Sequence, residues 1–241
     1  MQGLIDIHSH ILPGVDDGAK DMEMTRMMLR AAWSEGIRAI IATPHHRRGY
    51  ANAPAEKLRE AYQAVYLEAR KVHPDFRIYL GSEVHFSHSM EEELRNGKAL
   101  TMAGTGYVLT EFLPNTAYTE IEATLRRLQM SGYRPIIAHA ERYDCLVKHP
   151  QLVEQLVEFG YYVQINASSV TGEHGRGLKQ FTKKLLGEQL VHFLGTDAHN
   201  LESRRPAMRK CAAYIEKKYG EDYADDICWN NVIRLLQNQP I

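Results

Sequence analysis

Two histidines stand two residues apart in the stretch IDIHSHILPGVDDG (5–18), where an alternating apolar run gives way to a loop. On a β-strand, positions i and i+2 lie on the same face, so His8 and His10 could chelate one metal ion. A Pro-Gly turn follows, and Asp16 and Asp17 then add carboxylate oxygens. One His-x-His pair alone is weak evidence for a metal site, because such pairs also arise by chance. Its meaning depends on what stands at the ends of the other apolar runs.

Groups that can bind a metal recur at the carboxyl ends of the other apolar runs. In chain order they are His45 and His46, Glu83 and His85, Glu111, His139, Asn166, and Asp197 and His199. Burying a carboxylate is costly unless it is paired or bound to a metal, and Glu83, Glu111 and Asp197 each follow strongly apolar residues. The repetition therefore predicts a metal cluster rather than a chance pair.

The candidate ligands offer nitrogen and oxygen atoms. Imidazoles combined with several carboxylates suit Mn²⁺, Fe²⁺ or Zn²⁺ better than they suit a thiolate-rich structural zinc site. Because there are more candidate ligands than one ion needs, we expect two or three divalent ions. Clustered ions can share a bridging hydroxide at neutral pH and can clamp both oxygens of an in-line phosphoryl displacement.

Seven short runs, rich in β-branched and aromatic residues, are predicted to be the strands that deliver these groups. They cover residues 4–8, 37–43, 76–84, 106–112, 133–140, 161–167 and 190–196. Apolar residues at three- and four-residue spacing predict helices at 22–35, 56–71, 118–130 and 150–159, with closing helices near 203–219 and 223–238. This alternation predicts an α/β fold, either a barrel or a doubly wound sheet. In a barrel, the carboxyl ends of all strands face one mouth, so distant residues would converge there.

Glycines mark the ends of three predicted helices. Gly36, Gly132 and Gly160 each stand between a helical segment and the next strand. Glycine adopts the left-handed conformation that ends a helix at little cost. This recurring junction indicates a β/α repeat without sequence identity between the repeats.

The composition is that of a soluble globular protein, and we expect a single domain spanning 1–241. Hydrophobic residues make up 44% of the chain, and the formal net charge of −1 gives no global field that favours nucleic acid or a membrane surface. No secretory signal pattern or membrane-spanning apolar run is evident. Three scattered cysteines indicate a reducing compartment rather than a disulfide framework. We therefore expect a cytoplasmic protein with no nucleic-acid partner and no membrane insertion, whose oligomeric state the sequence does not indicate.

Several motifs in one order resemble a known family. IDIHSH, TPHH, a glutamate after the third strand, IAHAERY and GTDAHN resemble the polymerase-and-histidinol-phosphatase (PHP) superfamily. HSHILPGVDDG, ATPHH, LGSEVHF, LTEF, IAHAERY and GTDAHNLESRRP are similar, within it, to the bacterial metal-dependent protein-tyrosine phosphatases of the CpsB/YwqE type. The resemblance runs from about residue 4 to residue 206. It implies a distorted seven-stranded (β/α) barrel of the PHP type, with a trinuclear metal centre at the C-terminal ends of the strands.

The resemblance also implies a role for individual residues. The first ion would be held by His8, His10, Glu83 and Asp197, the second by Glu83, Glu111 and His139, and the third by Asp17, His45 and His199. Asp17 rather than Asp16 is the implied ligand of the third ion. Arg142 and Arg204 match the phosphate-binding arginines of the family, and the neighbouring Arg205 remains an alternative.

The implied reaction is the hydrolysis of a phosphotyrosine ester, with manganese the expected metal and iron or zinc as alternatives. A metal-bridging hydroxide would attack phosphorus in line, while the ions and both arginines neutralise the equatorial oxygens. The leaving tyrosinate oxygen would take up a proton, either from a metal-bound water or one held near Asp197 and His199. Relatives act on the phosphotyrosine-containing tails of bacterial tyrosine kinases that control capsule or exopolysaccharide synthesis, and the resemblance implies such a partner here.

Other interpretations of the sequence remain open. A small-molecule phosphatase of the histidinol-phosphatase type would differ only at the mouth, and a noncatalytic metal-stabilised accessory module would bind ions without turnover. A cysteine-based phosphatase needs Cys-x5-Arg, and Cys228 and Arg234 have that spacing, but the intervening WNNVI has no glycine and the stretch is typical of a helix. The segment HRRGYANAP (46–54) is either a substrate loop or an ordinary solvated loop.

Overall fold

The computed structural model describes residues 3–50 and 52–241. Strand segments alternate with helices along the chain. The strand segments are β1 (Leu4–Ser9), β2 (Ile37–Ala42), β3 (His45–His46), β4 (Arg77–Leu80), β5 (Glu83–His85), β6 (Tyr107–Glu111), β7 (Arg134–Ile137), β8 (Tyr162–Asn166) and β9 (Phe193–Gly195). The α-helices are α1 (Met22–Ser34), α2 (Ala55–Val72), α3 (Met90–Arg95), α4 (Tyr118–Met130), α5 (Asp144–Lys148), α6 (Gln151–Glu158), α7 (Ala167–Thr171), α8 (Arg176–Gly187), α9 (Arg209–Tyr219), α10 (Glu221–Asp225) and α11 (Asn231–Leu236).

The nine described strand segments occupy seven positions around the barrel, because two of the seven predicted strands are each interrupted and form two segments. The second strand breaks at residues 43–44, between β2 and β3, where Pro44 has no N–H for a ladder hydrogen bond. The third breaks at residues 81–82, between β4 and β5. The same neighbours stay paired on both sides of the breaks, since β2 pairs with β4 and β3 pairs with β5. Each break lies directly before a candidate metal ligand, His45 or Glu83.

The barrel closes between its last strand and its first. Strands β5, β6, β7, β8 and β9 pair in that order, all in parallel. A parallel bridge then joins Ser9 to Ala198, where the His10 N–H donates to the Ala198 carbonyl (2.9 Å) and the Asp197 N–H donates to the His8 carbonyl (2.7 Å). The predicted class, a distorted parallel-stranded (β/α) barrel, is confirmed, with nine described strand segments in place of seven continuous strands. The doubly wound alternative is wrong. Closure places the carboxyl ends of β1 and β9 side by side.

The helices lie close to their predicted bounds in the first part of the chain. Gly36, Gly132 and Gly160 have φ angles of 89°, 85° and 84°, which confirms their left-handed conformation after α1, α4 and α6. The closing helices differ from the prediction. The first, α9, begins only at Arg209, and the second is interrupted by a π-helical turn, Asp226–Asn230, between α10 and α11. Helix α8 and the short helices α3, α5 and α7 were not predicted.

The C-terminal residues cover the end of the barrel opposite to the candidate ligands. At the amino end of β6, Asn238 Oδ1 accepts a hydrogen bond from the Gly106 N–H (2.8 Å), and the Tyr107 hydroxyl donates to the Gln239 carbonyl (2.6 Å). Apolar residues of α11 join strand residues in one buried cluster. The carboxyl ends of the strands therefore form the open mouth. In the described part of the chain, no helix combines the length and the apolar character needed to cross a membrane.

Candidate metal centre

The carboxyl ends of the strands bring nine predicted metal ligands into one cluster. They are His8, His10, Asp17, His45, Glu83, Glu111, His139, Asp197 and His199. His8, His10 and Glu83 are completely buried, and Asp197 and His139 are 2% exposed. Three subsets bring one ligand atom from each residue within 4.8 Å of one another, so that each subset could hold an ion. They are His10, Asp17, His45 and His199; His8, His10 and Asp197; and His45, Glu83 and Glu111.

The predicted first group comes together at the base of the cluster. His10 Nε2 lies 3.3 Å from His8 Nε2, 3.4 Å from Asp197 Oδ1 and 3.5 Å from Glu83 Oε2. His8 Nε2 is in turn 3.3 Å from Glu83 Oε1. Four side chains from three widely separated parts of the sequence therefore direct nitrogen and oxygen atoms into one small space.

The second group shares Glu83 with the first. His139 Nε2 lies 2.8 Å from Glu83 Oε1 and 3.7 Å from Glu111 Oε1. His45 also reaches this group, since its Nδ1 is 2.7 Å from Glu83 Oε2 and 3.7 Å from Glu111 Oε2. The sequence assigned His45 to the third group alone, whereas its ring lies between the second and third groups.

The third group lies nearest to solvent. Asp17 Oδ1 is 3.3 Å from His45 Nε2 and 3.5 Å from His199 Nε2, and the Asp17 side chain is 63% exposed. Asp16 faces the other way: its Oδ2 accepts hydrogen bonds from His10 Nδ1 (2.7 Å) and from the His45 backbone N–H (3.1 Å). Of the two adjacent aspartates, Asp17 faces into the cluster and Asp16 holds a ring from behind.

Two of the candidate ligands have an unusual backbone conformation. His139 has φ 31° and ψ 59°, and Asp197 has φ 54°, both in the left-handed region that residues other than glycine rarely adopt. Such strain persists only where the surroundings fix the backbone. Here the His139 N–H donates to Gln164 Oε1 (2.7 Å), and the Asp197 N–H donates to the His8 carbonyl. This left-handed backbone conformation directs the side chains of His139 and Asp197 toward the cluster, just after β7 and β9 end.

Burial and ionic contacts together set the charges in the cluster. Burial would lower the pKa of His10, but hydrogen bonds to Asp16 and Asp197 outweigh burial and hold this pKa well above its usual value. Burial would raise the pKa of Glu83 and of Asp197, but the His8 imidazole is the largest opposing influence, and both pKa values lie well below the usual range. Rings and carboxylates thus stabilise each other in their charged forms. Because a metal competes with these protons for the same atoms, its binding would release them.

The donor set fits divalent cations. Within the described residues, three buried atoms of the cluster make no hydrogen bond of good geometry. They are His45 Nδ1 and Glu83 Oε2, which face each other at 2.7 Å, and His199 Nε2, which is 3.5 Å from Asp17 Oδ1. Leaving buried polar atoms unsatisfied is costly, and a coordinated cation would remove that cost. Imidazole nitrogen with carboxylate oxygen is the ligand chemistry of manganese, iron and zinc.

Both predicted phosphate-binding arginines converge on Asp197. Arg142 Nη2 is 2.7 Å from Asp197 Oδ2, and Arg204 Nη2 is 2.6 Å from Asp197 Oδ1. Burial would lower the pKa of Arg142, but Asp197, Glu141 and Glu83 together outweigh burial and raise this pKa. Arg205 is exposed and lines the same cleft, together with Ser168. Three arginines thus line this cleft at the edge of the candidate metal centre.

Sequence reasoning missed two features of the site. The first is Arg47, whose guanidinium contacts Glu111 Oε2 and His45 Nε2, each at 3.1 Å. Arg47 belongs to the segment 46–54, in which Ala51 lies outside the described residues. Gln164 in β8 bonds the His139 backbone and lies beside the His8 ring. A glutamine inside the apolar run YYVQINA was the available signal for the second feature.

The cysteine-based alternative receives no support from the geometry. Cys228 is buried in the π-helical turn, and burial raises the pKa of its thiol to about 12. Arg234 lies on the following helix, α11, so the residues between them form helix rather than a phosphate-binding loop. A thiol with this pKa is protonated at neutral pH and is a poor nucleophile.

Fold and site together define a class of protein, an α/β barrel with a candidate polynuclear metal centre at the carboxyl ends of its strands. The chain belongs to the CpsB/CapC family of capsular polysaccharide synthesis, whose model matches residues 4–237. The resemblance inferred from the motifs is therefore confirmed.

Named relatives match nearly the whole chain. It is 35% identical over 243 residues to the tyrosine-protein phosphatase CpsB of Streptococcus pneumoniae, with 99% of this chain and 100% of the relative covered. It is 38% identical over 241 residues to the tyrosine-protein phosphatase YwqE of Bacillus subtilis (strain 168), with 99% and 93% covered. A solved structure from work on YwqE of B. subtilis and CpsB of S. pneumoniae, described as metal-dependent tyrosine phosphatases, superposes with a TM-score of 0.91. It shares 36% identity, with 99% of this chain and 96% of that chain covered.

Proposed function

We propose that the protein is a metal-dependent protein-tyrosine phosphatase with its active site at the mouth of the barrel. The observation that carries this proposal is the position of Asp197, whose carboxylate lies within 3.6 Å of His8 and His10 and also binds Arg142 and Arg204. Metal-binding and phosphate-binding groups are thus adjacent, as phosphoryl transfer requires. The names of the curated relatives support tyrosine as the leaving group.

The proposed cofactor is two or three divalent ions, with manganese first and iron or zinc as alternatives. The proposed ligands are His8, His10, Asp17, His45, Glu83, Glu111, His139, Asp197 and His199. Glu83 would serve two ions, because its oxygens lie beside both the first and the second group. When bound, such ions supply a hydroxide at neutral pH and offset the charge on the phosphoryl oxygens.

Two arginines are the chain's own contribution to phosphate binding. Each presents a planar fork of N–H donors that suits phosphate oxygens. The side chains of Arg142 and Arg204 are 33% and 30% exposed, so a phosphate that enters the mouth can reach both guanidinium groups. Arg205 stays the alternative to Arg204 for this contact.

A groove next to Glu111 offers a place for the aryl ring of the substrate. Its volume is about 590 Å³, and its apolar walls include Tyr50, Phe86, Phe112 and Leu113. A tyrosinate leaving group has a conjugate-acid pKa of about 10, so it needs less protonation than a serine alkoxide. The proton that the leaving oxygen takes up would come from water held by the ions or from near Asp197 and His199; the His199 Nδ1 lies 2.9 Å from the Asp197 backbone carbonyl.

The proposed partner is the phosphotyrosine-containing tail of a bacterial tyrosine kinase that regulates capsule or exopolysaccharide synthesis, in the cytoplasm. Membership of the CpsB/CapC family supports this setting. An open barrel mouth is accessible to a flexible peptide. A pull-down with the substrate-trapping variant His139→Ala is expected to recover the phosphorylated kinase from cells, and recovery of no phosphorylated kinase would count against this partner.

The experiment that tests the activity compares phosphotyrosyl peptide, an aryl phosphate and histidinol phosphate as substrates of protein purified with Mn²⁺. We expect hydrolysis of the first two, loss of activity with EDTA and recovery when Mn²⁺ returns. Activity that persists after complete metal removal would contradict the mechanism. Faster hydrolysis of histidinol phosphate would favour a small-molecule phosphatase, and bound metal without turnover of any phosphoester would favour an accessory module.

A matched pair of variants tests the arginine assignment. Arg204→Lys keeps the charge but loses the planar fork, and we expect kcat/KM to fall by about 10- to 100-fold. Arg205→Lys makes the same chemical change at the neighbouring exposed position and is expected to have little effect. The reverse ranking would assign the phosphate contact to Arg205.

A further inference from the structure

Two buried amides stand beside the candidate ligands without contributing to the proposed ligand set. Gln164 and Asn166 lie two residues apart in β8, so they share a face of the strand. They are 0% and 1% exposed. Burying an amide costs free energy unless its donors and acceptors are satisfied, so these side chains need a reason for their position.

Their hydrogen bonds form one continuous chain. Gln164 Oε1 accepts from the His139 backbone N–H (2.7 Å) and lies 3.2 Å from His8 Nδ1. Gln164 Nε2 donates to Asn166 Oδ1 (2.9 Å), and Asn166 Nδ2 donates to Asp197 Oδ2 (3.0 Å). The chain thus connects three proposed ligands that come from three different strand ends.

The direction of every bond in this chain follows from its first member. A backbone N–H can only donate, so the atom of Gln164 that faces His139 must be the oxygen. The other end of the amide is then the donor toward Asn166, which leaves the Asn166 amide nitrogen facing Asp197. Neither amide can be reversed without placing two donors or two acceptors against each other.

This fixed direction determines the state of two ligands. Since Gln164 Oε1 only accepts, the hydrogen of a neutral His8 ring must lie on Nδ1, and the lone pair of Nε2 then faces the cluster. At the other end, the Asn166 amide donates to Asp197 Oδ2, which fixes the orientation of that carboxylate. Outer partners that fix a ligand's tautomer and orientation often change metal affinity by about 10- to 100-fold.

We propose that Gln164 and Asn166 are positioning residues, an amide relay that holds His8, His139 and Asp197 in the form and orientation needed to bind the metal ions. The proposal rests on the ligand set of the proposed function. Close packing supports it, because a Cβ atom at Gly195 would lie 2.9 Å from Gln164 Nε2 and 2.6 Å from His8 Cβ. The backbone of Gly195 therefore packs closely against both the amide and the ring, and a side chain at this position would displace them.

The test measures metal affinity rather than turnover. The purified apoprotein is titrated with Mn²⁺ against a chromophoric chelator, for the wild type, Gln164→Met and the control Asn231→Leu. Asn231 is another buried amide, which bonds the His192 carbonyl at 3.0 Å at a distance from the ligand set. We expect Gln164→Met to weaken Mn²⁺ binding by about 10- to 100-fold and the control to leave it unchanged within about twofold, at similar losses of thermal stability.

Equal affinities for Gln164→Met and the wild type would overturn the relay, as would equal losses in Gln164→Met and Asn231→Leu. His8→Ala separates this failure from a failure of the ligand set. If His8→Ala binds Mn²⁺ as the wild type does, the ligand assignment itself is wrong. If His8→Ala loses affinity while Gln164→Met does not, the relay alone is wrong.

A measurement on the wild type keeps the proposal testable if Gln164→Met does not fold. In the ¹⁵N-histidine-labelled protein loaded with diamagnetic Zn²⁺, nuclear magnetic resonance distinguishes the two ring nitrogens of His8. We expect a proton on Nδ1 and metal coordination at Nε2. Coordination through Nδ1, or a proton on Nε2, would overturn the relay.

Discussion

The carboxylate of Asp16 accepts a hydrogen bond from His10 Nδ1 at 2.7 Å, behind the ring and away from the cluster. The same carboxylate also accepts from the backbone N–H groups of Gly18 and His45. Because Asp16 only accepts, the hydrogen of a neutral His10 ring lies on Nδ1 and its Nε2 lone pair faces the candidate metal positions. Asp17, one residue later, faces into the cluster instead. The carboxylates of the two adjacent aspartates thus lie on opposite sides of the histidine rings.

Isosteric substitution should separate the two aspartates. We expect Asp17→Asn to lose one metal ion per chain, because it removes a proposed ligand. Asp16→Asn should keep the ion count at saturation but weaken binding by about 10- to 100-fold, because His10 loses its fixed orientation. Metal content by plasma mass spectrometry and chelator competition measure the two quantities. An Asp16→Asn protein that lacks an ion, beside an Asp17→Asn protein that keeps all of them, would reverse the assignment.

Gly195 provides a second test, of packing beneath the site. A Cβ at this position would lie 2.6 Å from His8 Cβ, so Gly195→Ala must push the ring out of place. We expect a loss of about 1–3 kcal/mol in the free energy of unfolding from overpacking, together with weaker metal binding. Gly177→Ala in α8 is the control, since its added Cβ would meet nothing within 4 Å beyond its chain neighbours and the backbone of its own helix. Unchanged metal affinity in Gly195→Ala would show that the His8 position tolerates displacement.

The stability of the fold should depend on pH through His192, which lies at a distance from the cluster. Burial lowers its pKa from 6.5 to about 4, and its Nδ1 accepts a hydrogen bond from the Val163 N–H (3.2 Å). The folded state therefore favours the neutral ring. The neutral His192 ring makes its full contribution to the free energy of unfolding above pH 6.5, where His192 is neutral in the unfolded chain as well. This contribution is lost as the pH falls from 6.5 toward 4, because the unfolded chain then binds a proton that the folded state does not. The loss amounts to about 3 kcal/mol at the acid end.

Urea unfolding at several pH values measures this contribution. Between pH 6.5 and 4, His192→Gln should show a shallower fall in the free energy of unfolding than the wild type, by up to about 1.4 kcal/mol per pH unit. The other titrating groups are common to both proteins and cancel in the difference. His149→Gln removes an exposed histidine and should keep the wild-type slope. Parallel curves for His192→Gln and the wild type would contradict the buried neutral state.

Removing the thiol of Cys228 should leave the reaction intact. The side chain is buried in the π-helical turn and its pKa is raised to about 12, so we expect Cys228→Ala to retain kcat/KM within about twofold. The missing sulfur should lower the free energy of unfolding by about 1 kcal/mol. Steady-state assays with an aryl phosphate and a thermal melt check both outcomes. A loss of three orders of magnitude in kcat/KM would instead identify a thiolate nucleophile.

Local sequence determined much of this protein. Short β-branched runs and amphipathic segments predicted the alternation of strands and helices, because side-chain periodicity follows backbone geometry. Polar groups directly after apolar runs indicated the site, since a barrel gathers the carboxyl ends of its strands at one mouth. The order of the motifs indicated the family. All nine predicted ligands lie in the cluster, although the assignment of each to an ion remains a prediction.

What only the tertiary structure decided depends on contacts between distant residues. Residue type and spacing left Asp16 and Asp17 open, and only the resemblance favoured Asp17 as a ligand. Which carboxylate lies behind His10 is set once the loop has folded. The position of Arg47 beside Glu111, and the hydrogen bonds from Gln164 and Asn166 to residues in other strands, are likewise set by barrel closure. Residue type and spacing state which chemistry is available, but hydrogen-bond direction and distance exist only after folding.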